Sequence, residues 1–181
     1  FAARFGFNTD TFPRNDLTVA LGSQDVQPLQ MATGYAMIAN GGYRIEPTFI
    51  KSISTLDGVI YQARQPTVCE ADCDAAPAPQ STNGQPAAAT NTMLRSVVEE
   101  GSGRRVNREF ERRDLMGKTG TTNGPAEVWF TGFNRDIATS VFVGFDQPEP
   151  LGESEQGATV AVPIWIDFMK VALADMPENI M

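Results

Sequence analysis

Between Leu115 and Phe145 the chain runs through three stretches that read as strands, 115–121, 128–133 and 137–145, the last two separated only by Asn134-Arg135-Asp136. A parallel neighbour needs a crossover of a dozen residues or more, so connections this short predict an antiparallel meander. Helical patterns flank it on both sides. From Pro28 to Asn40 the residues Leu29, Met31, Ala32, Tyr35, Ala36, Ile38 and Ala39 leave few polar positions. Pro28 suits a first helical turn and Gly41-Gly42 supplies a left-handed stop, which together read as a buried helix.

A strand over 43–53 is expected to reach the turn signal Asp57-Gly58 and return through Val59-Ile60-Tyr61 as a hairpin. Residues 71–89 are mostly Ala, Pro, Gln, Ser, Asn and Gly with little to bury, and read as a mobile loop or insertion. Thr90 or Asn91 then caps a helix through Met93, Leu94, Val97 and Val98, which Gly101-Ser102-Gly103 ends. After an acidic loop over 147–157, Pro163 opens a last amphipathic helix with Ile164, Trp165, Phe168, Met169, Ala172 and Leu173 on one broad face. The fold class expected is α+β, an antiparallel sheet covered by helices. No internal repeat is visible.

At 181 residues and 41% hydrophobic content the chain can form one ordinary domain with a core. Its 22 acidic against 14 basic residues give a net charge of −8, which repels phosphate backbones and argues against nucleic acid as a partner. The arginines at 104, 105, 108, 112 and 113 are interleaved with Glu99, Glu100, Glu109, Glu111 and Asp114, the pattern of a solvated, salt-bridged surface. Every apolar stretch is broken well before the ~18 residues a membrane-spanning helix needs, so any anchor is expected outside this chain. The opening Phe-Ala-Ala-Arg-Phe-Gly-Phe has no initiator methionine or signal peptide and reads as the tail of an amphipathic helix, so the chain is expected to start inside a domain.

Cys69 and Cys73, in Cys-Glu-Ala-Asp-Cys, lie in an expected exposed loop. A disulfide between them would imply an oxidising compartment, and free thiols are the alternative. With no histidine and no second cysteine pair, a zinc site lacks ligands, and no metal or cofactor is expected.

The residues that carry chemistry are Gly117-Lys118-Thr119-Gly120-Thr121-Thr122-Asn123, just before the apolar run Val128-Trp129-Phe130-Thr131-Gly132-Phe133. Side chains alternate across a strand, so Thr119 and Thr121 share one face and Lys118 and Gly120 the other. Two hydroxyls on one face can each donate to a bound carboxylate, at roughly 1.5–3 kcal/mol per charge-assisted bond. Lys118 adds a compact positive charge and can hydrogen-bond a neighbouring serine in a proton relay. Gly120 lets a substrate approach the backbone closely. The backbone N–H of Thr121 is left for a developing oxyanion, a role in which one donor is worth ~2.7–4 kcal/mol. This is equipment for acyl transfer.

The segment 117–123 with 128–133 resembles the third motif of the penicillin-binding proteins and serine β-lactamases. Ala20-Leu21-Gly22-Ser23, Pro28-Leu29-Gln30, Ala32-Thr33-Gly34-Tyr35, Ala39-Asn40-Gly41-Gly42 and Ala161-Val162-Pro163-Ile164-Trp165 are similar to the bifunctional class A penicillin-binding proteins, and the matches span nearly the whole chain. The resemblance implies a D,D-transpeptidase, whose serine attacks the D-Ala-D-Ala end of a peptidoglycan stem peptide and passes the acyl group to an amine, and which β-lactams acylate. It implies that residues 1–175 are the C-terminal portion of a transpeptidase domain of the penicillin-binding-protein and serine β-lactamase type, with 176–181 as a tail. Lys118 and Thr121 would be its catalytic residues, with Thr119, Gly120, Thr121 and Thr122 binding substrate. It also implies a glycosyltransferase domain ahead of this one, and anchorage at the periplasmic face of the bacterial inner membrane.

The family's nucleophile motif, Ser-x-x-Lys, is absent: no serine here has lysine three residues later. Ser81-Thr82-Asn83 fits the second motif, Ser-x-Asn, by letters, but its place in an expected loop close to Lys118 marks it as a chance match. Both motifs are expected ahead of Phe1, and this chain alone is expected to be inactive. The absence of histidine also excludes a Ser-His-Asp triad made from the chain's own residues. A non-catalytic peptidoglycan-binding module of the same fold and a β-lactamase-like hydrolase are the competing readings.

Overall fold

A computed structural model describes residues 2–13, 15–63 and 78–181. Cys69 and Cys73 lie outside the described residues. A 3₁₀ turn over Ala2–Phe5 and another over Leu17–Leu21 precede helix α1, Pro28–Ala39. The backbone N–H of Gln27 donates to the Gln30 side chain ahead of α1, and Gly41 and Gly42 close it at φ 83° and 95°. The expected helix and its stop are both present.

A hairpin of β1, Ser52–Thr55, and β2, Gly58–Gln62, follows, and both of its strands are exposed. The expected strand over 43–53 is thus cut to its last part. Pro47 has no N–H to give a ladder, and Tyr43 instead makes an isolated antiparallel bridge with Gln80. The turn sits one residue earlier than expected, with Thr55 facing Gly58 across Leu56-Asp57.

Helix α2, Gly84–Glu99, starts six residues before Thr90. Pro86 falls in the first turn, where backbone N–H groups have no helical partner to lose, and Ala87, Ala88 and Ala89 are the strongest helix formers. Thr90, Thr92 and Ser96 donate their hydroxyls to carbonyls four residues back, so these polar residues sit within the helix rather than capping it. A short helix α3, Arg104–Glu109, leads to the sheet.

The sheet consists of β3, Met116–Thr121, β4, Glu127–Phe133, and β5, Ala138–Gly144, antiparallel in the order β3-β4-β5, and is the meander read from the sequence. Its register sets Thr119, Phe130 and Val141 in one row, and Lys118, Thr131 and Ser140 in the next. Opposed residues share a face and successive rows alternate. On the Phe130 face lies helix α4, Val162–Ala172, whose Trp165 meets Phe130 edge-on at 5.1 Å. On the other face Phe133 meets Tyr35 of α1 at 5.8 Å, also edge-on.

Two cores result. Val98, Val106, Leu115, Phe130, Trp165, Ile166, Met169 and Leu173 fill the α4 side, and Ala39, Met116 and Phe133 with Tyr35, Ile38 and Leu94 fill the α1 side. Helix α2 supplies Leu94 to one and Val98 to the other. This is the expected α+β fold.

The last helix differs from expectation in two respects. A π-helical turn, Gly157–Ala161, precedes α4 where an irregular loop was expected to end. Ile164 and Phe168, assigned to the buried face, are 48% and 52% exposed. The buried positions are 162, 165, 166, 169 and 173, a narrower stripe at 3.6-residue spacing that leaves 164 and 168 on its flank.

The arginine-rich segment is only partly a surface network. Arg105 and Arg108 meet Glu109 at 2.7 and 3.7 Å outside. Arg112 and Asp114 pair at 2.8 Å inside, with the Asp114 side chain fully buried. The Arg112 guanidinium also donates to the carbonyls of Met176 and Pro177, which fixes the start of the C-terminal segment against the sheet.

Candidate functional site

Strand β3 is an edge of the sheet, and two hydrogen bonds fix which of its groups face outwards. Thr122 N–H donates to Glu127 O at 3.1 Å, and Asn134 N–H donates to Ile137 O at 3.0 Å. Counting back from either along the register in steps of two, residues 116, 118 and 120 bond to β4, while 117, 119 and 121 turn their N–H and C=O groups away from it. Lys118 Nζ donates to the Thr119 carbonyl at 2.9 Å, as an outward-facing carbonyl permits.

Thr119 and Thr121 share the α4 face, as the alternation predicted. The Thr119 hydroxyl lies 2.6 Å from that of Ser102, in the turn between α2 and α3. Thr121 Oγ1 accepts the backbone N–H of Gly157 at 3.0 Å. A β-carbon on Gly157 would stand 2.5 Å from Trp129 O and 2.7 Å from Gly120 O, so only glycine brings its N–H this close to the strand.

Lys118 is exposed on the opposite face, and among the described residues no carboxylate lies within ion-pair distance of it. A β-carbon on Gly120 would stand 3.2 Å from that of Trp129, so cross-strand packing also keeps this position small. Thr122 lies beyond the strand. Its Oγ1 accepts the N–H groups of Ala126 and Glu127 at 3.2 and 3.0 Å and closes the β3–β4 turn.

The strand therefore presents a cation, two hydroxyls and outward backbone groups on one unpaired edge. That set can grip a carboxylate and polarise a carbonyl, because a carboxylate only accepts hydrogen bonds. The serine that meets the strand, Ser102, has Arg105 rather than lysine three residues later. Ser81 is buried against α1, its N–H on Gly42 O and its hydroxyl on Arg4 O and Met37 Sδ, so that hydroxyl serves packing.

Two residues at the strand escaped sequence reasoning. Ser102 was read only as part of a helix stop, and Gly157 only as the end of a loop. A hydroxyl flanked by two glycines after a helix was the available signal for Ser102; none marked Gly157.

The other groups of note stand apart from β3. A cavity of about 790 Å³ opens between the N-terminal turns, α1 and the start of α2, lined by Phe7, Phe12, Leu17, Tyr35 and Ile38, and β3 contributes nothing to it. Burial pushes the Tyr35 phenol up to about 12. Burial also raises Asp114, but hydrogen bonds from Arg112, the Asn179 N–H and Asn134 outweigh it and hold the carboxyl below the ordinary range. No metal-binding cluster of acidic or sulfur ligands occurs among the described residues, and none of their helices is long and apolar enough to cross a membrane.

The family model for the penicillin binding protein transpeptidase domain matches residues 5–170. Penicillin-binding protein 1A of Pseudomonas aeruginosa is 40% identical over 100% of this chain and 27% of its own length. Penicillin-binding protein 1A of Neisseria gonorrhoeae is 37% identical over 99% of this chain and 23% of its own. The chain thus spans about a quarter of the length of these relatives. Among solved structures, penicillin-binding protein 1A of Haemophilus influenzae superposes with a TM-score of 0.89 at 32% identity, covering 99% of this chain and 31% of that one. Pseudomonas aeruginosa PBP2, at 20% identity and a TM-score of 0.63 over 99% of this chain and 43% of its own, shares the fold.

Proposed function

Because the chain belongs to the family of penicillin binding protein transpeptidase domains, we propose that it supplies one wall of the active site of a peptidoglycan D,D-transpeptidase. The single observation that carries this reading is the free edge of β3. There Lys118, the Thr119 and Thr121 hydroxyls and the outward N–H of Thr121 come together beside Ser102 and Gly157.

In this reading a stem peptide ending in D-Ala-D-Ala lies along the open edge of β3. Its terminal carboxylate accepts hydrogen bonds from the Thr119 and Thr121 hydroxyls, and Lys118 offsets its charge. A serine from the part of the protein ahead of this chain, in a Ser-x-x-Lys motif, attacks the penultimate D-Ala carbonyl, and the oxygen that becomes negative points at the Thr121 N–H. The C–N bond to the last D-Ala breaks, the serine's proton passes through the relay to the leaving nitrogen so that D-Ala departs as its amine, and the acyl group stays on the serine. An amine of another peptidoglycan strand then takes the acyl group. Lys118 joins the proton relay through the serine of the Ser-x-Asn motif, also outside this chain.

A β-lactam presents the same carboxylate beside a strained amide and acylates the same serine. No metal or cofactor takes part. Anchorage at the periplasmic face of the bacterial inner membrane, with a glycosyltransferase domain ahead of this one, belongs to the same proposal.

The test is Lys118→Ala in the full-length protein, read by covalent labelling with a fluorescent penicillin. Labelling should be lost while the melting temperature stays within about 4 °C, the shift that roughly 1 kcal/mol gives a domain of this size. Undiminished labelling would show that Lys118 has no such role.

A further inference from the structure

Resting on the transpeptidase reading, we propose that Ser102 is a positioning residue that turns the Thr119 hydroxyl into a hydrogen-bond donor for the substrate carboxylate. Thr121 shows how such a setting works. A backbone N–H can only donate, so the bond from Gly157 makes Thr121 Oγ1 the acceptor and leaves its own proton for a ligand.

Among the described residues no backbone donor reaches the Thr119 hydroxyl in the same way; its partner is the Ser102 hydroxyl at 2.6 Å. Either oxygen of that pair can donate. When Ser102 donates, Thr119 is placed as Thr121 is, and the strand presents two protons on one face. A carboxylate, which only accepts, selects that arrangement. An incoming neutral group gains less from it, so Ser102 favours substrates that carry the terminal charge.

The Ser102 backbone is placed by its neighbours. β-Carbons on Gly101 and Gly103 would stand 2.9 and 3.2 Å from Val97 O, so the turn hugs the end of α2 and brings residue 102 to the edge of β3. Ser102 itself is exposed, so its replacement removes a hydroxyl and leaves the core untouched.

The experiment measures the acylation rate constant of the full-length protein with benzylpenicillin and with benzylpenicillin methyl ester, which lacks the charge. Ser102→Ala should slow acylation by the free acid about tenfold, within the range for a hydrogen bond to a charged group, and slow the ester less than about twofold. Ser102→Thr should restore the acid rate. In a Thr119→Val background, Ser102→Ala should add nothing. Equal slowing of acid and ester, or no slowing of either, overturns the proposal for Ser102. The transpeptidase reading is tested separately, because it fails if the wild-type full-length protein takes no penicillin label, whatever the Ser102 variants do.

Discussion

The backbone N–H of Gly157 meets the hydroxyl of Thr121 at 3.0 Å, tying the π-helical turn ahead of α4 to the strand that carries Lys118. The final helix, which packs Trp165 into the core, thereby also sets one hydroxyl of the proposed carboxylate grip. Core packing and site geometry are coupled at this point.

Gly157→Ala follows from that contact. The new methyl would press on Trp129 O and Gly120 O at 2.5 and 2.7 Å and push the turn away from β3. Overpacking of this kind costs about 1–3 kcal/mol, so the full-length protein should melt several degrees lower. Penicillin labelling should slow as well. A variant that melts and labels like the wild type would contradict the contact.

Thr121→Val removes a hydroxyl but keeps the shape and the backbone N–H. A hydrogen bond to a charged group is worth roughly 1.5–3 kcal/mol, so acylation by a carboxylate-bearing penicillin should fall about 10- to 100-fold. Stopped-flow acylation of the full-length protein measures this, and an unchanged rate would remove Thr121 Oγ1 from the carboxylate site.

Arg112→Met tests the internal ion pair. The Asp114 side chain is fully buried, and removal of its guanidinium strands a charge and frees the carbonyls of Met176 and Pro177. Breaking a buried pair from one side costs about 3–5 kcal/mol, which denaturant titration should register as a lower midpoint. A loss under ~1 kcal/mol would mean that the pair is well hydrated in solution.

The same pair predicts a dependence on pH. Hydrogen bonds hold the folded pKa of Asp114 below that of the unfolded chain, near 3.9. Its contribution is therefore complete above that value and disappears as pH falls through the lower folded pKa. As pH falls below the ordinary carboxylate value of about 4, the wild type should lose stability more steeply than Asp114→Asn, and parallel curves would contradict the assignment.

Strand order, the short turns and the placement of Thr119 and Thr121 on one face were readable from the sequence, because a two-residue alternation and connections too short for a crossover leave little freedom. The start of α2 was not. The composition of 84–89 resembles a loop, and only the tolerance of a first helical turn for proline reverses that reading. Burial of Arg112 and Asp114 was equally hidden, since mixed charges read as surface until the C-terminal segment folds over them. Ser102 and Gly157 act through contacts 17 and 36 residues away in sequence, which no local pattern encodes.

The most direct test of the carboxylate grip is a crystal structure of the full-length protein acylated by benzylpenicillin. The account predicts the penicilloyl carboxylate within about 3 Å of both Thr119 Oγ1 and Thr121 Oγ1, with the ester carbonyl oxygen on the Thr121 N–H. A carboxylate bound elsewhere, with both hydroxyls facing only Ser102 and Gly157, would contradict it.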